Sequence, residues 1–112
     1  MTRLILTRHG HVDWIAPERF RGRAELALSE LGRRQVEATA KRIAAAWRPA
    51  AVYTSPMSRA VDTGTAIAGP FGLTVQPIGG LNDIDYGEWQ GLTRDEVRRR
   101  WPEEAEAWFQ RP

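Results

Sequence analysis

Arg8, His9 and Gly10 stand directly after a short apolar run, Leu4-Ile5-Leu6, which Thr7 closes. The run reads as a buried β-strand over residues 4–7. The polar trio then sits where strand gives way to loop, the end of a strand at which open α/β sheets bind ligands. A guanidinium beside an imidazole at such a place suits a phosphate. Arg8 offers a planar fork for anionic oxygens, neutral imidazole is a nucleophile that works near neutral pH, and Gly10 lets the backbone turn and come close to a ligand. Ser55-Pro56-Met57-Ser58-Arg59-Ala60 repeats this logic after a second apolar run. A strand end, a cap and a helix N-terminus with free N–H groups favour an anion, and Arg59 is expected to meet Arg8 over one phosphate. A third stretch, Leu81 to Gly91, holds three carboxylates. A carboxylic acid beside a phosphate ester can protonate the leaving alkoxide; Asp83 is the first candidate, ahead of Asp85 and Glu88. Each motif also has a plainer reading: a partly exposed strand-end histidine, an ordinary helix start with a solvated Arg59, and an acidic surface loop in which Tyr86 and Trp89 pack on the domain.

The elements that would position these residues alternate. After the strand at 4–7, residues 13–28 read as a loop containing Pro17 and Gly22. Ser29 is an N-cap, and the helix over about 30–47 carries Val36, Ala40, Ile43 and Trp47 on one stripe. Residues 50–54 form a second strand. Ser55 then caps a helix with Pro56 at its first position, and Gly69-Pro70 ends it. A third strand covers 73–75, and residues 78–92 are glycine-rich and irregular. Thr93 and Glu96 have capping-box spacing for another helix, which Pro102 ends before opening a last one through Phe109. Strands separated by helices imply βαβ units and a parallel sheet. Three strands are few for a sheet covered on both faces, so residues 1–112 read as the front part of a single larger domain.

Composition narrows the chemistry. The 112 residues are 42% apolar and 27% charged, a globular balance. The absence of cysteine excludes disulfide and thiolate chemistry. His9 and His11 are the two histidines, which makes a structural metal site a poor expectation. No apolar stretch approaches the roughly 20 residues of a membrane span, and no signal-peptide pattern opens the chain, so a cytoplasmic protein is expected, without membrane partners. Charge is uneven: residues 1–60 hold 11 Lys/Arg against 5 Asp/Glu, a balance of +6, and residues 61–112 hold 5 against 9, a balance of −4. The basic half carries Arg8-His9-Gly10, which suits an anionic ligand. Fifteen of the 16 basic residues are Arg, scattered and without interleaved aromatics, which argues against nucleic acid.

Taken together, Leu4 to Gly10, Arg21-Gly22, Leu28-Ser29-Glu30-Leu31-Gly32, Ser55 to Ala60 and Leu81 to Gly91 resemble the histidine phosphatase superfamily, also called phosphoglycerate mutase-like, in order and at sensible spacing from residue 4 to about 91. The resemblance implies a three-layer α/β/α fold with a mostly parallel sheet, here cut short before its C-terminal strands. It implies that His9 attacks phosphorus and carries a phosphohistidine. Arg8, Arg59, Gly10 and Arg21 would hold the phosphate, and neutralise the charge that develops on it. Asp83 would be proton donor where the family usually has Glu. No metal and no cofactor are implied.

The chain also departs from the pattern. The family's second pocket histidine, from its C-terminal part, has no counterpart; His11 follows the glycine where Glu, Gln or His is usual. Ile15 lies near a position where relatives often carry a phosphate-contacting Asn, and Val12 where Thr or Ser is common. The compact Arg19-Phe20-Arg21-Gly22-Arg23 segment and the run from Asp85 to Gly91 are similar to the phosphatase branch. The expected function is therefore hydrolysis of a small phosphorylated metabolite, with mutase-type transfer and a non-catalytic phosphate-binding module as alternatives. Trp101, Trp108 and Phe109 are expected as an exposed apolar patch, and hence self-association, with a homodimer as one form.

Overall fold

The structure, a computed structural model, describes residues 1–14 and 17–111. Ile15 lies outside them. The elements are α1 (Glu30–Ala46), β1 (Val52–Thr54), α2 (Ser58–Ala68), β2 (Val75–Pro77), α3 (Arg94–Arg100) and α4 (Pro102–Gln110), with short 3₁₀ turns between β2 and α3 and after α2. The fold is α/β with a parallel sheet. The chain divides into two compact units, Met1–Asp13 with Glu25–Asn82, and Trp14–Ala24 with Asp83–Pro112.

In the first unit, α1 starts where the Ser29 hydroxyl accepts the Gly32 N–H at 3.0 Å, satisfying one of the donors that a helix start leaves over. Its apolar stripe buries Val36, Ala40 and Ile43. Ala40 and Ile43 meet Ile67 of α2, and Trp47, Val52, Ala66 and Phe71 close around them. A smaller cluster joins Val36 to Val12 and Leu28. β1, α2 and β2 form a βαβ unit: the strands pair in parallel, with Val52 opposite Val75, Tyr53 opposite Gln76 and Thr54 opposite Pro77. Thr54 is buried, while Tyr53, pointing to the other face as strand alternation requires, is 56% exposed.

Three expectations are corrected here. Residues 4–7 form no strand, so the described sheet has two strands and not three. A strand exists through the neighbour that takes its N–H and C=O groups, and this run has apolar side chains but no such neighbour. Leu4 and Leu6 stand 79% and 91% exposed. Second, Ser55 does not cap α2. Its hydroxyl takes the Met57 N–H at 3.4 Å in a local turn, and the helix begins at Ser58 with Met57 as cap residue and no side-chain cap. Serine offers its oxygen to the backbone two residues on as readily as to a helix start. Third, the strands are shifted: β1 is shorter than 50–54, and β2 begins at Val75, where residues 73–75 had been expected.

In the second unit, Thr93 accepts the Glu96 N–H at 3.2 Å and caps α3, while the Glu96 carboxylate lies 3.7 Å from Arg19 Nη1. Pro102 opens α4. Phe20 is central: its ring centroid lies 4.9 Å from that of Tyr86, 5.4 Å from Trp89 and 6.3 Å from Phe109. Trp108 meets Tyr86 edge-on and Trp101 approaches Trp89. The guanidinium groups of Arg94 and Arg98 lie 5.0 and 4.8 Å from the Phe109 ring centroid. The exposed patch expected of Trp101, Trp108 and Phe109 is therefore absent. They are half-buried in the second unit's own core, because two short helices need aromatic area to hold together.

Candidate active site

The first unit carries Arg8, His9, Gly10 and Arg59. The loop from Arg8 to His11 is gripped from two helices. From α2, the Thr63 hydroxyl accepts the Gly10 N–H at 3.2 Å. From the start of α1, Gln35 Oε1 accepts the His11 N–H at 2.9 Å, and the His11 carbonyl takes the Ser29 N–H at 2.9 Å and the Ser29 hydroxyl at 3.1 Å. His11 Nδ1 also lies 2.7 Å from Ser29 Oγ. Glycine permits the approach. A Cβ on Gly10 would stand 2.5 Å from the Gly32 carbonyl oxygen and 2.8 Å from Val36 Cγ2, and a Cβ on Gly32 would run into the His11 carbonyl oxygen.

Within this loop His9 Nδ1 lies 2.7 Å from the Gly10 carbonyl oxygen. A carbonyl only accepts, so Nδ1 carries a proton in this contact, and in a neutral ring the lone pair is then on Nε2. That is the tautomer in which a neutral imidazole is a nucleophile through Nε2. Arg59, the second residue of α2, is 1% exposed. Its carbonyl accepts the Thr63 hydroxyl proton at 2.8 Å, so one hydroxyl joins the Arg59 turn to Gly10. Arg8 is exposed and borders, with Thr7, His9 and Gly10, a cleft of about 440 Å³ whose opposite wall includes Gln35 and Thr39. The start of α2 holds an anion, and it belongs to the protein: Glu25 Oε1 accepts the Ser58 N–H at 3.2 Å.

Arg21 and Asp83 belong to the second unit. The Arg21 carbonyl accepts the Ala24 N–H at 2.8 Å in a turn through Gly22. Asp83 is exposed, and its carbonyl accepts Arg23 Nε–H at 2.9 Å. Asp85 closes an Asx turn on the Gly87 N–H at 2.9 Å. Among the described residues no three His, Asp or Glu side chains gather as a metal site. Thr63 and Gln35 were not singled out from the sequence. Thr63 follows Arg59 by four residues, the spacing that puts two side chains on one helix face, and that signal could have found it. Gln35 offered no such sign.

The family model of the histidine phosphatase superfamily (branch 1) matches residues 4–112. A protein of Mycobacterium tuberculosis described as bifunctional is 40% identical over 109 residues, 97% of this chain and 30% of that protein. A 2,3-bisphosphoglycerate-dependent phosphoglycerate mutase of Chelativorans sp. is 38% identical, covering 90% of this chain and 51% of the relative. A metal-independent phosphoserine phosphatase of Arabidopsis thaliana is 37% identical, covering 97% and 46%. Among solved structures, Bacillus stearothermophilus YhfR matches with a TM-score of 0.83 and 33% identity over 93% of this chain and 51% of its own. The chain thus spans between about a third and a half of the relatives it matches. By its motifs, its fold and a family match over nearly its whole length, the chain belongs to the histidine phosphatase superfamily, branch 1.

Proposed function

We propose that the protein is a phosphomonoester hydrolase in which His9 is the nucleophile. The observation that carries this is the His9 Nδ1 to Gly10 carbonyl contact of 2.7 Å, which supports Nε2 as the attacking nitrogen of a neutral ring, in a loop tied through Thr63 to the Arg59 turn. Nε2 forms a bond to phosphorus as the ester P–O bond breaks. The leaving alkoxide takes a proton from a carboxylic acid, the role its motif suggests for Asp83, and water then attacks phosphorus, breaks the P–N bond and returns a proton to that carboxylate. Arg8 and Arg59 bind the phosphoryl oxygens and offset the charge that grows on them; Arg21 is proposed as a phosphate contact from its motif alone, and Gly10 shapes the loop, since its N–H goes to Thr63 and its carbonyl to His9. The substrate class is a small phosphorylated metabolite.

The test is release of inorganic phosphate from p-nitrophenyl phosphate and from 3-phosphoglycerate, by the protein and by its His9→Ala variant. Release that His9→Ala abolishes, with an acid-labile phosphoprotein trapped on His9, supports the reading. Release that survives His9→Ala defeats it. A stable phosphohistidine that never hydrolyses points to the non-catalytic module. The mutase-named relative at 38% identity favours a second reading, transfer of the phosphoryl group to another hydroxyl in place of water. Conversion of 3- to 2-phosphoglycerate faster than phosphate release decides for it.

A further inference from the structure

We propose that Gln35 is a positioning residue that sets the tautomer of His9 through the Gly10–His11 peptide group. The inference rests on the reading of His9 as nucleophile. The Gly10 carbonyl and the His11 N–H are two ends of one planar peptide unit and turn together. One end accepts the His9 Nδ1 proton at 2.7 Å, and the other donates to Gln35 Oε1 at 2.9 Å. If the plane rotates, the carbonyl leaves the imidazole and the preference for a proton on Nδ1 weakens. Gly10 has no Cβ to resist that rotation. Gln35 resists it from outside the loop. A peptide whose N–H is engaged is also a better acceptor at its carbonyl, since hydrogen bonds in a chain polarise one another.

The neighbouring grips act on other peptides. Thr63 holds the N–H of the His9–Gly10 unit, and Ser29 holds the carbonyl of the unit after His11. They fix where the loop lies, whereas Gln35 acts on the unit that touches the imidazole. Gln35 is exposed on α1, beside the buried Val36. Its substitution therefore leaves the core intact, and the structural and the positioning roles can be separated.

The experiment compares the protein with Gln35→Leu, which lacks the acceptor, and Gln35→Glu, which keeps one oxygen at the same reach. The fraction of His9 carrying its proton on Nδ1 is read from imidazole nitrogen shifts in NMR, alongside kcat and KM. In Gln35→Leu the ratio of Nδ1–H to Nε2–H is expected to fall about fivefold, the size of one modest hydrogen bond, with kcat falling by a similar factor at unchanged KM. Gln35→Glu should restore both. A ratio in Gln35→Leu equal to that of the wild type, in a variant whose thermal unfolding is unchanged, overturns the proposal whatever the activity. A ratio that falls, in a protein whose wild type never releases phosphate, supports this proposal and defeats the hydrolase reading.

Discussion

Thr63 Oγ1 accepts the Gly10 N–H at 3.2 Å and donates its own proton to the Arg59 carbonyl at 2.8 Å, so one hydroxyl, 4% exposed, couples the His9 loop to the helix that carries Arg59. Thr63→Val keeps the shape but leaves the Gly10 N–H without this acceptor in a buried place. We expect a loss of about 2 kcal/mol in urea unfolding, within the range for one unsatisfied buried group, and a larger loss of phosphate release than the stability change explains. Thr63→Ser should recover most of both. If Thr63→Val unfolds at the wild-type urea concentration, the bridge contributes nothing.

Gly32 lies at the closest approach between α1 and the loop. Gly32→Ala places a methyl group into the His11 carbonyl oxygen, with the His11 nitrogen 2.9 Å away, so backbone must move. Overpacking of this kind costs about 1–3 kcal/mol. The displacement falls on the residues beside His9, so kcat should drop at least as clearly as thermal stability. Alanine is otherwise the better helix former; a Gly32→Ala protein that is more stable and fully active would show that the loop has room to spare.

Glu25 caps α2 from a distance in sequence, through Ser58 N–H at 3.2 Å. The carboxylate is exposed, so its contribution belongs at the low end for helix-start groups, about 0.5 kcal/mol. Glu25→Ala should lower the unfolding midpoint slightly at low ionic strength, and the difference should shrink in high salt. A salt-independent difference would assign the effect to something other than charge at the helix start.

Thr54 closes β1 with a hydroxyl that is buried and has no hydrogen-bond partner among the described residues. Burying such a group without a partner is unfavourable. Thr54→Val keeps the branched shape suited to a strand and removes the polar atom, so we expect a gain of about 1 kcal/mol in chemical denaturation. A loss of stability on making this change would mean that the hydroxyl is satisfied after all.

What could be read directly from the chain was local. Ser29 and Thr93 each sit one residue before a helix and bond three residues ahead, so their caps are written in neighbouring residues. The stripe of Val36, Ala40 and Ile43 is equally local in origin. Ser55 has the same appearance and behaves differently, because a serine oxygen has two competing backbone targets and tertiary packing chooses between them. Residues 4–7 have strand composition, but a strand is a relation between segments and its partner cannot be seen in the run itself. Trp101, Trp108 and Phe109 look like a surface patch only while Trp89, Tyr86 and Phe20, the rings that meet them, are considered apart from them; 89 residues separate Phe20 from Phe109. Arg8, His9 and Arg59 were legible as chemistry, while Thr63 and Gln35, which hold the backbone of Gly10, Arg59 and His11, were not.

The grips on the His9 loop have a temporal consequence. They reach across 18, 24 and 53 residues, to Ser29, Gln35 and Thr63. The loop is synthesised before these three partners and completes its contacts late, since contacts of long separation must await closure of the intervening chain. The same dependence runs in reverse on warming. Fraying at the start of α1, or loosening of α2, releases the loop before the shared core of the two helices gives way. The arrangement of the His9 loop is then a more fragile property than foldedness, and is lost first.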